Sequence, residues 1–248
     1  MGGALDARED QLGLLEGVEA VLLDFDGPVC DLFGNVSTAP VASEIKEKVR
    51  SIWGRDLDQK VEDCHDSHGI LLLLQDMYDP TDPDPRSREA LRAAEETVTE
   101  YEAKAVLLAH PAPGVEKLVN ALRWAEIPLV IVSNNAAEPI RAYLERWDLL
   151  EQFQDVIGRD PHDLHHMKPH PRSVERALES LGGPPPSECV LIGDQLTDLE
   201  AALAARTRFI GYTQSPVRAA RMLERGAHAV VSSHEPLISA AEAMRKPN

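Results

Sequence analysis

The stretch that decides the fold is Ala20-Val21-Leu22-Leu23-Asp24-Phe25-Asp26-Gly27, in which an apolar run ends abruptly in two aspartates and a glycine. A short, almost unbroken apolar run is typical of a central strand in a parallel sheet, because such a strand is buried on both faces. Gly27 and the following Pro28 mark a turn. We therefore predict a buried strand that carries Asp24 and Asp26 at its carboxyl end.

Five further segments carry strand signals, and helical patterns separate them. The strong strand signals are Pro128–Val132, before Ser133-Asn134-Asn135, and Cys189–Ile192, before Gly193-Asp194. The weaker ones are Asp155–Gly158, Arg208–Ile210 and Ala229–Val231. Apolar residues recur at helical spacing over residues 115–122, 140–147 and 174–181. From Pro113 onward helix and strand alternate, which predicts an α/β fold with a doubly wound, Rossmann-like parallel sheet.

The segment between the first and second strands has a different pattern. It contains no convincing strand, but helical patterns cover Val41–Trp53, about Ile70–Tyr78, and Ser87–Leu108. The third has Ser87 as its N-cap and an apolar stripe that runs to Leu108. We therefore predict a core of residues 1–31 and 110–248 and an inserted, all-helical cap domain of residues 32–109.

Composition limits the classes of partner. The 248 residues carry a formal net charge of −17, which argues against nucleic-acid and anionic-membrane surfaces, because both need clustered Lys and Arg. No apolar run has the length of a transmembrane helix, and Met1–Gln11 is too polar for a signal peptide. Cys30, Cys64 and Cys189 are odd in number and far apart, which fits a reducing compartment. We expect a cytoplasmic protein, a monomer or homodimer, with no nucleic-acid or membrane partner.

The polar residues at the strand ends predict a reaction centre, because ligands bind at the carboxyl edge of an open parallel sheet. The residues expected to converge there are Asp24, Asp26, Ser133, Asn134, Asp194 and Asp198, with Lys168 from the loop Pro161–Pro171. Several carboxylates in a small space need a cation, and Mg²⁺ suits oxygen ligands. A lysine and a hydroxyl beside them hold phosphate oxygens. The set predicts phosphoryl transfer through an aspartyl phosphate on Asp24.

The same segments are similar to the four ordered motifs of the haloacid dehalogenase superfamily. They are Asp24-Phe25-Asp26-Gly27, Val132-Ser133-Asn134, Lys168-Pro169, and Gly193-Asp194-Gln195-Leu196-Thr197-Asp198. The chain most resembles the phosphoglycolate-phosphatase-like and β-phosphoglucomutase-like branch, which has a helical cap between the first and second motifs. The resemblance covers nearly the whole chain. One departure is Pro28, which stands where the family usually has Thr or Val and which lacks a backbone N–H.

The resemblance implies a role for each of these residues. Asp24 attacks phosphorus, and Asp26 protonates the leaving oxygen and then activates the water that cleaves the intermediate. Mg²⁺ is held by Asp24, by the backbone carbonyl of Asp26 and by Asp194, with Asp198 as a direct or indirect ligand. The residues that hold the substrate and its phosphoryl group are Gly27, Ser133, Asn134 and Lys168.

We predict hydrolysis of a small phosphate monoester, and several alternatives stay open. A phosphomutase of the β-phosphoglucomutase type would use the same residues with different cap chemistry. A dehalogenase needs the nucleophile but not a second acid at position 26, so the presence of Asp26 counts against a dehalogenase. A receiver-like phosphoacceptor is shorter and has no cap, and a non-catalytic binding module would be expected to lack a carboxylate. The clusters Cys64–His68 and His162–His166 lack zinc-finger spacing and are interpreted as polar loops.

Overall fold

The protein contains one parallel sheet of six strands, ordered β3-β2-β1-β4-β5-β6, in a computed structural model that describes residues 13–34, 37–79, 81 and 86–244. The strands are β1 Ala20–Leu23, β2 Leu129–Val132, β3 Asp155–Ile157, β4 Cys189–Gly193, β5 Arg208–Tyr212 and β6 Ala229–Val231. All six predicted strands are therefore present, and the predicted α/β fold is confirmed.

Strand β1 lies at the centre of the sheet and pairs in parallel with β2 and β4. Leu22 is opposite both Val130 and Leu191, so β2 and β4 each extend one residue beyond the end of β1. The chain continues to β3 on one side and to β5 and β6 on the other. This change of direction opens a crevice at the carboxyl ends of β1 and β4, the usual ligand position in such a sheet.

Helices cover both faces of the sheet because successive residues of β1 point to opposite faces. Val21 and Leu23 belong to the hydrophobic cluster on one face, and Leu22 belongs to the cluster on the other. The first face is covered by α5 Val115–Trp124, α6 Ala137–Arg146 and α10 Glu235–Ala243. The second is covered by α7 Arg172–Ser180, α8 Leu196–Ala204 and α9 Pro216–Glu224. No helix within the described ranges is both long and apolar enough to span a membrane.

The segment after β1 forms four helices and no strand among its described residues. They are α1 Ala39–Trp53, α2 Gln59–Glu62, α3 Ser67–Asp76 and α4 Arg88–Ala105. These helices build a third hydrophobic cluster around Ile45, Ile70 and Val98. Leu164 and Met167, from the loop that carries Lys168, pack into the same cluster, so the cap helices contact that loop directly.

Among the cap helices, the largest differences from the predicted helix ends are in α3 and α4. Helix α3 begins at Ser67, before Ile70, because the side chain of Asp66 accepts a hydrogen bond from the Gly69 N–H and caps the helix. Helix α4 has the predicted N-cap, with Ser87 Oγ accepting from Glu89 N at 3.1 Å. It ends at Ala105, however, so the helical stripe stops there and Leu108 is 80% exposed. The prediction that Leu108 lies on the buried stripe is wrong.

The separate cluster supports a cap domain, and we keep its boundaries, residues 32–109, as a proposal. Residues 1–12 of the proposed core lie outside the described part of the chain.

Candidate active site

A cavity of about 440 Å³ opens at the carboxyl edge of the sheet, between the core and the cap helices. On the core side it is lined by Asp24, Asp26, Ser133, Asn134, Lys168, Asp194 and Asp198. On the cap side it is lined by residues that include Thr38, Ser67, His68 and Leu72. The structure thus brings together the predicted site residues at one cavity, with Gly27 directly behind Asp194.

Lys168 is the central cation of the site. Its Nζ lies 2.9 Å from Asp24 Oδ1 and 2.6 Å from Asp198 Oδ1, and it donates to the Val132 carbonyl at 3.0 Å. Burial on its own would lower the pKa of the lysine, but the charges of Asp198 and Asp24 outweigh it and hold the pKa above its ordinary value. Lys168 is therefore a fixed positive charge beside the nucleophile candidate.

The carboxylates carry more negative charge than Lys168 neutralises. Burial, the repulsion of Asp198 and a smaller repulsion from Asp194 raise the pKa of Asp24 well above its usual range, although Lys168 opposes them. Burial, Asp198 and Asp26 raise the pKa of Asp194 to about 7, against the opposing charge of Arg218. Carboxylate oxygens of Asp24, Asp194 and Asp198 lie within 4.8 Å of one another. This all-oxygen, mutually repelling set fits a hard divalent cation such as Mg²⁺.

Asp26 lies apart from that three-carboxylate group and has a different environment. Its Oδ1 accepts a hydrogen bond from the Leu32 N–H at 2.8 Å, which fixes the side chain beside the cavity. Burial raises its pKa, and the hydrogen bond from Leu32 only partly offsets this. A carboxyl group with a raised pKa holds a proton more readily, which suits a general acid.

Asp198 has a structural role in addition to its contact with Lys168. It lies in the first turn of α8, where its Oδ2 accepts from the Gln195 N–H at 2.9 Å in a capping box. Gln195 is the N-cap of this helix. One carboxylate therefore fixes the start of α8 and holds Lys168.

The loop after β2 positions Ser133 and Lys168. Ser133 is buried, and its hydroxyl donates to Asn135 Oδ1 at 3.0 Å. Asn134 uses both ends of its amide on the backbone of Lys168: its Nδ2 donates to the carbonyl at 3.0 Å, and its Oδ1 accepts from the N–H at 2.7 Å. Asn134 thus holds the lysine loop, and direct contact between Asn134 and substrate stays a prediction.

Gly27 permits the close approach of two site elements. Its φ is +105°, and a Cβ at this position would lie 2.9 Å from Asp194 Cγ. Its N–H donates to the Cys30 carbonyl at 2.6 Å. Pro28 is compatible with this turn, because the N–H groups of Val29 and Cys30 both bind the Phe25 carbonyl and none is needed from residue 28.

Sequence reasoning missed two charged groups of the site. Arg218 Nη1 contacts Asp194 Oδ2 at 3.0 Å, and no local pattern in α9 signals this contact. Glu102 of α4 is fully buried beside Arg159, where Oε1 accepts from Nη1 at 2.9 Å. A signal for Glu102 exists: it follows Val98 by four positions and precedes Ala105 by three, so it is a carboxylate on the apolar stripe.

Each of the two histidine-rich segments, Cys64–His68 and His162–His166, contains a histidine that pairs with a carboxylate. In the first segment, His68 Nε2 lies 3.0 Å from Glu102 Oε1. His165 Nε2 lies 2.7 Å from Asp76 Oδ1, and His166 Nδ1 lies 3.2 Å from Asp160 Oδ2. Within the described ranges, the only group of His, Cys, Asp or Glu side chains arranged to hold a metal ion is Asp24, Asp194 and Asp198.

Comparison with known proteins identifies the family. The sequence profile of the haloacid dehalogenase-like hydrolases matches residues 18–206, which is most of the chain. The chain belongs to the haloacid dehalogenase-like hydrolase family. The superfamily predicted from the four motifs is therefore confirmed, and the protein is an enzyme of the hydrolase class.

One relative and two solved structures resemble the chain over most of its length. A phosphoglycolate phosphatase of Photobacterium profundum is 28% identical over 204 residues, covering 80% of this chain and 84% of the relative. A candidate β-phosphoglucomutase from Thermotoga maritima is 22% identical, with a TM-score of 0.57 over 89% of this chain and 97% of that one. A haloacid dehalogenase family hydrolase from Deinococcus radiodurans, solved with phosphate and sodium, is 25% identical, with a TM-score of 0.54 over 94% and 99%. The phosphoglycolate phosphatase relative supports the predicted phosphoglycolate-phosphatase-like and β-phosphoglucomutase-like branch, and the solved structures support its fold.

Proposed function

We propose that this protein hydrolyses a small phosphate monoester through an aspartyl phosphate on Asp24, with Mg²⁺ as cofactor. The observation that carries the proposal is the arrangement of Asp24 with Lys168 at 2.9 Å, at the carboxyl edge of a parallel sheet. A carboxylate beside a fixed cation and a buried hydroxyl is arranged for covalent transfer of an anionic group, because the cation neutralises charge on the transferred oxygens.

In this proposal a carboxylate oxygen of Asp24 attacks phosphorus and the bond to the leaving oxygen breaks. Asp26 gives its proton to that oxygen, and the raised pKa of Asp26 supports this role. Asp26, now ionised, then takes a proton from the water that attacks the phosphorus of the aspartyl phosphate. The bond between phosphorus and the Asp24 oxygen breaks, which releases inorganic phosphate and restores the Asp24 carboxylate. Lys168 and Ser133 hold phosphoryl oxygens in both steps.

Asp24, Asp194 and Asp198 would hold Mg²⁺, with Asp198 a direct ligand or one that acts through its neighbours. The proposal also includes the backbone carbonyl of Asp26 as a ligand. A bound Mg²⁺ would supply the positive charge that the carboxylates and the phosphoryl group need. Gly27 leaves the space into which the Asp194 carboxylate fits.

The cavity lining favours a hydrolase over a mutase, which uses a second cationic group to grip a distal phosphate. Among the described residues, no arginine lines the cavity. Two cap arginines are engaged elsewhere: Arg50 pairs with Glu62, and Arg86 donates to the Met77 carbonyl at 2.7 Å. The cap wall instead offers the hydroxyl groups of Thr38 and Ser67, the carboxylate of Asp66 and one histidine, together with the apolar side chains of Phe33 and Leu72.

The proposed substrate is a small-molecule phosphate ester, and the name of the Photobacterium relative makes phosphoglycolate one candidate. We also propose that the protein works in the cytoplasm, which three free cysteines support.

A phosphate-release screen tests the proposal. The purified protein is assayed with Mg²⁺ against phosphoglycolate, sugar phosphates, nucleotides, amino-acid phosphates and p-nitrophenyl phosphate. We expect turnover of at least one small monoester, with loss of activity in excess chelator. No release from any of them, or full activity in chelator, would contradict the proposal. Isomerisation of a sugar phosphate with little release, stimulated by its bisphosphate, would identify a mutase.

A further inference from the structure

Glu102 is a completely buried carboxylate that joins the cap to the core. Its Oε1 accepts from His68 Nε2 at 3.0 Å, from Asn135 Nδ2 at 3.0 Å and from Arg159 Nη1 at 2.9 Å. Its Oε2 accepts from the Ala136 N–H at 2.9 Å and from Arg159 Nη2 at 3.4 Å. Donors from α3, from the loop after β2 and from the loop after β3 thus converge on one side chain of α4.

Glu102 is ionised at neutral pH. Burial on its own would raise its pKa, but the hydrogen bond from His68 and the charge of Arg159 outweigh it and lower the pKa to about 2. An ionised carboxylate only accepts hydrogen bonds, so His68 must present a protonated Nε2 to it. Glu102 therefore fixes both the orientation of the imidazole ring and the proton on Nε2.

On the core side, the contacts of Glu102 lead to the hydroxyl that is proposed to hold the phosphoryl group. Asn135 donates to Glu102 through Nδ2 and accepts from Ser133 Oγ through Oδ1 at 3.0 Å. Arg159 Nη1 also donates to the Asn134 carbonyl at 2.8 Å. The carboxylate thus anchors the loop of Ser133 at the side chain of Asn135, at the N–H of Ala136 and, through Arg159, at the backbone of Asn134.

On the cap side, the contact leads to the opposite wall of the cavity. His68 lines the cavity while its Nε2 is held by Glu102, so Nδ1 is its remaining polar ring atom. The hydroxyl of the neighbouring Ser67 is buried without a hydrogen-bond partner among the described residues, and Ser67 lines the same wall. This wall therefore offers polar atoms to the part of a substrate that leaves with the ester oxygen.

Local charge explains why this position needs an acid. Arg159 is buried and also contacts Glu95 Oε1 at 2.9 Å and Thr99 Oγ1 at 2.9 Å. A buried guanidinium needs a close carboxylate, and removing one partner leaves an uncompensated charge. A packing role alone, however, accounts for neither the bond to His68 nor the bond to Asn135, each of which continues to the cavity.

We propose that Glu102 is a positioning residue for the reaction, which sets His68 at the leaving-group wall and Ser133 at the phosphoryl end with a single carboxylate. This inference rests on the proposed phosphatase function. It makes two separable statements. The first is that the contribution of His68 to kcat/KM depends on Glu102. The second is that phosphate binding at the phosphoryl end depends on Glu102 whether or not His68 is present.

A double-mutant cycle tests the first statement with Glu102→Gln and His68→Gln, assayed on the best monoester from the screen and on p-nitrophenyl phosphate. We expect His68→Gln to lower kcat/KM by roughly tenfold in the wild type and by less than roughly twofold in the Glu102→Gln background. The control is Glu62→Gln, which removes a cap carboxylate that is also paired with an arginine but does not line the cavity, and it should leave kcat/KM unchanged. Effects that multiply across the cycle would overturn the first statement.

Inorganic phosphate binding, measured by calorimetry in Mg²⁺, tests the second statement, because phosphate occupies only the phosphoryl end. We expect Glu102→Gln to weaken phosphate binding by roughly tenfold and His68→Gln to leave it unchanged. Phosphate binding at wild-type strength in folded Glu102→Gln would overturn the proposal. If Glu102→Gln does not fold, Glu102→Asp replaces it in the assay. The shorter side chain keeps the negative charge near Arg159 but moves the carboxylate oxygens away from His68 and Asn135. Weakened phosphate binding would again support the proposal, and wild-type binding would again overturn it. A wild type inactive on every monoester would overturn the phosphatase function and this inference together. An active wild type with multiplicative effects would overturn the first statement and leave the phosphatase function standing.

Discussion

Lys168 Nζ lies 2.9 Å from Asp24 Oδ1, and both side chains are almost completely buried. The contact joins the carboxyl end of β1 to a loop that packs against the cap helices. Replacing Lys168 with methionine keeps much of the length of the side chain but removes the charge. We expect Lys168→Met to lower kcat by at least about 100-fold, because the developing charge on the phosphoryl group loses its fixed cation.

The same variant should lose stability, measured by urea unfolding without metal, because Asp24 and Asp198 are left buried without a cation. Lys117→Met, on the exposed face of α5, is the matched control and should change neither quantity. A kcat within tenfold of wild type would exclude Lys168 from the proposed mechanism.

Gly27→Ala should weaken Mg²⁺ binding by at least about tenfold, because the added methyl group would displace the Asp194 carboxylate. Calorimetric titration with Mg²⁺ in the absence of substrate measures this affinity directly. Gly182→Ala is the matched control, since Gly182 also has a positive φ, +86°, but has no atom within 4 Å of the added Cβ. Both variants carry backbone strain, so only a difference in metal affinity is informative. Equal affinities in the two variants would contradict the assignment of Asp194 as a ligand.

Glu102 should make stability depend on pH in the acid range. Its pKa is about 2 in the folded protein against an ordinary value of 4.5, so the ionised form stabilises the fold. That stabilisation is fully present above about pH 4.5 and is lost as the pH falls towards 2. The shift corresponds to roughly 3 kcal/mol. The difference in unfolding free energy between wild type and Glu102→Gln should therefore shrink as the pH is lowered. A difference that does not change with pH would contradict the stabilisation of the fold by ionised Glu102.

Asp26→Asn should slow both formation and breakdown of the phosphoenzyme, by about 100-fold or more, because one group serves as acid and then as base. Rapid-quench single-turnover assays separate the two phases. The control is Asp56→Asn, which changes an exposed acid outside this loop. Unchanged rates in both phases would assign the acid and base roles to another residue.

The strands and their polar ends are predictable from sequence because both signals are local. The run before Asp24 is apolar since β1 is covered on both faces, and Ser133 and Asp194 follow runs of the same kind. Parallel strands then bring the three ends to one edge, whatever their separation in sequence. Sequence reasoning could therefore predict that these residues meet without specifying any distance between them.

The contacts made by long side chains across the fold are not predictable in this way. Arg159 is 57 positions from Glu102, and nothing near either residue indicates that the two are paired. Their pairing depends on how α4 packs against the loop after β3. Leu108 shows the reverse error, in which a sequence signal has no counterpart in the structure. The helical pattern of apolar residues continues past Ala105, but the helix ends there and Leu108 is exposed.

The central claim is that Asp24 carries the phosphoryl group during turnover. The direct measurement is to quench the enzyme during steady-state hydrolysis, reduce it with borohydride and sequence its peptides by mass spectrometry. An aspartyl phosphate is an acyl phosphate, so reduction should convert Asp24 to homoserine, in a substrate-dependent manner, and Asp24→Asn should be inactive and unmodified. Homoserine at another position, or an active enzyme in which Asp24 is never modified, would contradict the account.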